Sequence, residues 1–234
     1  MKIKLLLLLI SPFCNAQVGI YGDIYISNNE FLAIHTPATH FIDGIVLTDP
    51  FQPGALKFMK DNHPVDAHFG SHAQADVISI ETPEFIFPVG DQGIYQPLKI
   101  SEGNSEDLTV SFKHSMHSFN NTSISIDKMS TRFHWVAEGS KEARLTLSRN
   151  AFSELDVLTE ELAALVMLGY TGSVWEVIPA TLSPFPLSGD VLTSLTEGAI
   201  SSTERIDFSL YEAFTLGSIL LDTSTNSIFS KFGF

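Results

Sequence analysis

The dominant pattern along the chain is alternation of apolar and polar residues with a period of two. Val18, Ile20, Ile24 and Ile26 fall on one side of such an alternation, and Tyr21, Asp23, Tyr25 and Ser27 on the other. The pattern recurs at Leu108-Val110-Phe112, Ile124-Ile126, Ala143-Leu145-Leu147 and Ile206-Phe208-Leu210. Side chains of a strand alternate between two faces, so each segment can bury one face and hydrate the other. Turn-forming clusters separate them, among them Ser27-Asn28-Asn29, Glu102-Gly103-Asn104-Ser105, Asn120-Asn121 and Glu138-Gly139-Ser140. Many short strands with frequent turns predict an all-β chain built as a sandwich, barrel or solenoid.

Two zones differ in texture. From Gln17 to Thr82, short apolar pieces sit at loose intervals between glycine or polar turns, which suits small stacked rungs or a meander, although no exact repeat is visible. From Pro83 to 220 the strands are longer and more regular, as in packed antiparallel sheets. The expected architecture is therefore a solenoid-like or meander region over 17–82, packed on or leading into an antiparallel β-sandwich over 83–220, with a tail over 221–234. Only one segment departs from strand character. Leu155, Leu158, Leu162 and Leu165 recur at helical spacing after Ser153, but an apolar run then leads into Gly169-Tyr170. This predicts one short helix or turn near 153–160, followed by a strand.

The first sixteen residues have another character. Lys2 and Lys4 precede the apolar run Leu5 to Ile10, Ser11 and Pro12 break it, and small residues stand at Cys14 and Ala16. That is the pattern of a secretory leader over 1–16, cleaved before Gln17. The apolar run is far shorter than the roughly 20 residues of a spanning helix, so no transmembrane anchor is expected. Lipidation at Cys14 is disfavoured by bulky Phe13. Cys14 is the only cysteine, so the mature chain lacks disulfide and thiol chemistry. The net charge is -14, and losing Lys2 and Lys4 makes the mature chain more acidic. Such a surface favours solubility and disfavours nucleic acid and anionic lipid.

The stretch Phe85-Ile86-Phe87-Pro88-Val89-Gly90, followed by Gly93-Ile94-Tyr95-Gln96-Pro97-Leu98, resembles a domain of secreted cell-surface proteins of the Bacteroidota, of the kind associated with type IX secretion and gliding. The similarity continues through Phe133-His134-Trp135-Val136, Ala143-Arg144-Leu145-Thr146-Leu147, Ser173-Val174-Trp175-Glu176 and Phe214-Thr215-Leu216-Gly217-Ser218. At the start, Val18-Gly19-Ile20 and Asp23-Ile24-Tyr25-Ile26 resemble the first strands of such proteins. The resemblance covers most of the mature chain and implies a β-rich N-terminal part leading into a β-sandwich with adhesive or assembly roles. It carries no catalytic motif. Such proteins usually end in a sorting domain, whereas only Ile219 to Phe234 follow Ser218 here, so the expected address is cell surface, extracellular space or periplasm.

Three chemistries are weighed on the remaining residues. Tyr95, Trp135, Tyr170 and Trp175 form a sugar-stacking platform if they face solvent together, and core filler if they do not. Asp91, Glu102, Asn104, Glu106 and Asp107 offer oxygens to calcium, without the ordered spacing of a calcium loop. His63, His68 and His72, with Asp61, Asp66 and Asp76 nearby, lack tight metal-ligand spacing and read as a solvated loop. No serine elbow, phosphate loop or dinucleotide fingerprint appears. At the C terminus Ile228, Phe232 and Phe234 resemble the last strand of an outer-membrane barrel, but the chain lacks the apolar outward faces that a barrel needs.

The expectation is a non-enzymatic exported module acting through β-sheet faces, edges and loops, with a cell-surface protein or polysaccharide as partner. A carbohydrate-binding module, assisted by calcium, is the alternative, and an unrecognised hydrolase the third reading.

Overall fold

The computed structural model describes residues 18–27, 30–34, 40–48, 54–59, 65–66, 72–118, 121–153, 155–183 and 198–221. Residues 1–17, where a leader is expected, His63, His68 and the tail from 222 onward lie outside the described residues. The fold is all-β; the described residues contain one four-residue α-helix, Leu155–Leu158, and three short 3-10 turns. No helix among the described residues is long and apolar enough to cross a membrane.

Up to Ser79 the chain runs as a coil of three rungs with three strands each. Val18–Tyr21, Ile24–Ile26 and Phe31–Ile34 form the first rung. His40–Asp43, Val46–Thr48 and Ala55–Phe58 form the second, and Val65–Asp66, Ala73–Gln74 and Asp76–Ser79 the third. Corresponding strands pair in parallel: Ile24 beside Val46 and Val46 beside Ala73, Phe31 beside Ala55 and Ala55 beside Asp76. Burial alternates along these strands, with Leu56, Phe58 and Val77 inward and the residues between them half-buried.

In the first and second rungs the corner between the first two strands is made by glycine. Gly22 (φ +80°) donates its N–H to Asp43 O at 2.7 Å, and Gly44 (φ +151°) lies beside it in the next rung. A Cβ on Gly44 would run into the Gly22 carbonyl, so the corner requires both a positive φ and the missing side chain.

Beyond residue 83 two antiparallel sheets face each other. One contains Phe85–Phe87, Leu98–Ser101, Glu142–Arg149, Gly198–Ser202 and Ala180–Ser183, in that order. The other is nine-stranded and crosses the boundary between the two zones. It runs Trp175–Ile178, Leu165–Tyr170, Ala213–Ile219, His134–Glu138, Leu108–Lys113 and then the third strands of the three rungs. The junction is antiparallel, with Val110 opposite Val77. One core accordingly extends from Ile26 and Ile34 in the coil through Phe85, Leu98, Leu145 and Trp135 to Leu216.

The Tyr95-Gln96-Pro97 stretch sits in this core, just after a hairpin, Gly90–Asp91 with Ile94–Tyr95. Gln92 (φ +52°) and Gly93 (φ +80°) give the hairpin the two left-handed central residues of a type I′ turn. Gln96 is wholly buried, and its amide satisfies three neighbours. Nε2 donates to Ser153 Oγ at 2.9 Å, while Oε1 accepts from Ser148 Oγ at 3.0 Å and Asn150 Nδ2 at 2.8 Å. Buried polar groups are stable only when paired in this way.

Two sequence expectations need correction. Ile124 is fully exposed in a turn, and its strand begins only at Ile126 (Ile126–Met129). The Ile206-Phe208-Leu210 alternation holds for two residues, Ile206–Asp207, before a 3-10 turn, Phe208–Leu210. Asp207 causes the change: its Oδ1 accepts from Ser209 N at 2.9 Å and Ser209 Oγ at 2.6 Å, which caps the turn and competes with a ladder.

Candidate functional site

The four aromatic residues expected to stack on sugars are buried, so the platform is corrected to core packing. Trp135 and Trp175 have no exposed surface, and Tyr95 and Tyr170 retain 4% and 2%. They also belong to two separate places. Trp135 lies between the sheets, edge-on to Phe112 and Phe133, with Nε1 donating to Gln96 O at 2.9 Å. Trp175 and Tyr170 lie on the outer face of the nine-stranded sheet, in a second cluster with Val166, Leu168 and Ala213. His117 and residues 121–123 fold over that face. His117 packs 5.2 Å from Trp175 and 4.7 Å from Tyr170, and Asn121 O accepts from Trp175 N.

The oxygens assigned to calcium do not converge. Asp91 accepts from Gln74 Nε2 at 3.3 Å and from His114 N at 2.9 Å. Asp107 accepts from Glu81 N, and Glu102 pairs with Arg144 at 3.2 Å. The cation that the 102–107 loop does hold is Lys141. Its buried ammonium donates to Asn104 O at 2.7 Å and to Glu106 O. Burial lowers its pKa, while Asp107 and Glu106 work in the opposite direction. Among the described residues no group of three His, Cys, Asp or Glu side chains is arranged to hold a metal ion.

Of the three clustered histidines only His72 is described, and it is buried rather than in a solvated loop. It stacks near Tyr95, with ring centroids 6.3 Å apart, and neither ring nitrogen has a hydrogen-bond partner. Gly90 packs so closely against this ring that a Cβ there would collide with it. Burial lowers the His72 pKa, and the charge of Asp91 opposes the shift.

Sequence reasoning did not anticipate the cleft beside the outer aromatic cluster. It encloses about 450 Å³ and is lined in part by His117, Glu138, Phe208, Ser209, Tyr211 and Glu212. Tyr211 donates to Glu176 Oε1 at 3.0 Å, and its pKa is pushed up to about 12 by burial and by that carboxylate. Histidine, serine and carboxylates thus share one wall. A serine nucleophile, however, must hand its proton to a base such as histidine, and the Ser209 hydroxyl donates to Asp207 within the 3-10 cap.

A second feature is the outer end of the coil. Val18–Tyr21, Ile24–Ile26 and Phe31–Ile34 are each the outermost strand of their sheet, with the second rung on one side and no strand on the other among the described residues. Tyr21, Tyr25 and Phe31 stand exposed on this rung, at 77%, 59% and 58%. The far end differs. Asp76–Ser79 pairs with Leu108–Lys113, and Ala73 is bridged to Val89 while donating to Pro88 O at 2.8 Å. The sandwich therefore covers two of the three sides of the last rung, and the first rung presents three strand edges.

The chain matches no family model, no curated protein and no solved structure.

Proposed function

We propose that this is a non-enzymatic exported module of adhesion or assembly, acting through strand edges and sited at the cell surface, in the extracellular space or in the periplasm. The observation that carries the reading is the first rung, whose three strands end the stack with no strand beyond them among the described residues. A strand edge offers a row of backbone donors and acceptors, and an added strand supplies main-chain hydrogen bonds without any catalytic residue. Two further features support the reading. The Lys2-to-Ala16 segment has the form of a secretory leader, and the Phe85-to-Leu98 stretch resembles Bacteroidota surface proteins. The Ser209–Asp207 bond weighs against a hydrolase, and the burial of Trp135 and Trp175 removes the exposed rings on which the carbohydrate alternative rested.

Fractionation of cells producing the tagged full chain tests the proposal. The expected result is leader-free protein beyond the inner membrane, within complexes that Tyr25→Lys together with Phe31→Lys dissolves. Cytoplasmic protein with its leader intact refutes export. Exported protein that is monomeric in every fraction refutes action through the edge.

A further inference from the structure

We propose that the partner of the first rung is a second copy of this chain: two mature chains stack end to end about a two-fold axis normal to the coil, their first-rung strands pairing antiparallel. This rests on the reading of the protein as a module that acts through its edges.

The two ends of the coil are not interchangeable, and that selects the symmetry. Head-to-tail stacking needs the outer sides of the last rung, and the sandwich occupies two of them. Only first rung against first rung remains, which is an isologous contact that closes at two copies. Rotation about an axis normal to the coil reverses the direction of travel around it. Phe31–Ile34 then runs antiparallel to its own counterpart, while Val18–Tyr21 meets the partner's Ile24–Ile26 and the reverse. The swapped strands are close in length, at four and three residues, so one contact can serve all three edges.

Charge favours the same surface. A chain with a net charge of -14 repels its own copies over most of its exterior, so self-contact belongs where charge is sparse. Residues 18–34 contain no lysine or arginine and two carboxylates, Asp23 and Glu30. The Asp23 carboxylate is already engaged, accepting from Ile45 N at 3.0 Å. Natural edges are commonly guarded against pairing by lysine or proline. Neither residue occurs between 18 and 34, and the exposed side chains there include Tyr21, Tyr25 and Phe31, the last with Lys57 Nζ of the second rung 3.9 Å from its ring centroid.

The mature chain, Gln17 to Phe234, is examined by size exclusion with light scattering over a hundredfold range of concentration. The expected result is twice the single-chain mass, halved by Tyr25→Lys together with Phe31→Lys and unchanged by Leu220→Lys at a distant exposed site. Cross-linking provides a readout that survives misfolding of the lysine variant, because the mature chain is free of cysteine. Phe31 and Ala33 share the outward face, and directly opposed residues of antiparallel strands lie about 4.5–5.5 Å apart, within disulfide reach. Phe31→Cys, Ala33→Cys or an equal mixture of the two should give a covalent dimer under mild oxidation, and Phe152→Cys should not. A pure mature chain that is monomeric and uncross-linked throughout overturns the proposal. If edge-dependent complexes with a different protein still form in cells, the edge-acting reading stands and self-pairing falls; if none form, both fall.

Discussion

His134 makes stability depend on acidity in a way that can be worked out from its surroundings. It opens the strand His134–Glu138, is 7% exposed and lies opposite Lys113 in the adjoining strand. A carbonyl can only accept, so Nδ1 carries the proton in its 3.0 Å contact with Ser115 O. Burial lowers its pKa to about 4; the Ser115 carbonyl resists the shift, and the charges of His117 and Lys113 add to it. Because the unfolded chain takes up this proton near pH 6.5, it holds more protons than the folded chain between about pH 6.5 and 4. Stability from the neutral ring is therefore fully present above pH 6.5 and is lost as pH falls, by about 1.4 kcal/mol per pH unit and about 3 kcal/mol in all. Below about pH 4 both states are protonated and the loss stops.

Other groups also titrate in this range, so the test compares the wild type with His134→Gln, whose amide can still donate to Ser115 O. Urea unfolding of both proteins at pH 7.5, 6, 5 and 4 gives the difference in stability at each pH. The wild type should lose about 2 kcal/mol relative to the variant between pH 7.5 and 5, with most of the rest gone by pH 4. A difference that stays flat from pH 7.5 to 4, or that moves in favour of the wild type on acidification, refutes the reasoning.

Three other outcomes are expected. Gln96→Leu removes the amide shared by Ser148, Asn150 and Ser153 and leaves the buried Ser148 hydroxyl without its partner, costing about 1–3 kcal/mol in the urea midpoint analysis, with little change in the m-value. Gly44→Ala forces a Cβ against the Gly22 carbonyl at a positive φ and should lower stability by about 1–3 kcal/mol, whereas Ala at exposed Ser105 should change it by less than about 0.5 kcal/mol. Because both tryptophans are buried, their fluorescence should be blue-shifted and resist iodide quenching; collisional quenching close to that of free tryptophan would restore the exposed platform.

Strand segments with strict alternation were legible in the sequence. Leu108-Val110-Phe112 and Ala143-Leu145-Leu147 became the strands Leu108–Lys113 and Glu142–Arg149, and leucines spaced within 155–165 gave way to a strand at Leu165. Stacking of the coil was harder to read because its spacing is irregular. Ile24 to Val46 is 22 residues but Val46 to Ala73 is 27, so no fixed-period comparison aligns the rungs. The Gly22 and Gly44 corners were the surviving trace of that repeat. Site residues failed for a different reason: an aromatic on a strand carries the same letter whether it faces solvent or a covering loop. Residue 175 is covered by His117 and residues 121–123, a long-range contact that alternation cannot encode. Lys141 was likewise invisible as the cation of the 102–107 loop, 35 residues away from Glu106.

The antiparallel seam between Asp76–Ser79 and Leu108–Lys113 gives folding a direction. Each rung needs a neighbour on which to lay its strands, and the only ready-made template is the sheet edge that the sandwich supplies. Rung three should settle first, rung two on it and rung one last, each closing a loop of 21 to 27 residues. The order of assembly then runs opposite to the order of synthesis. Residues that leave the ribosome first are placed last, so the coil stays open until the sandwich that templates it has formed.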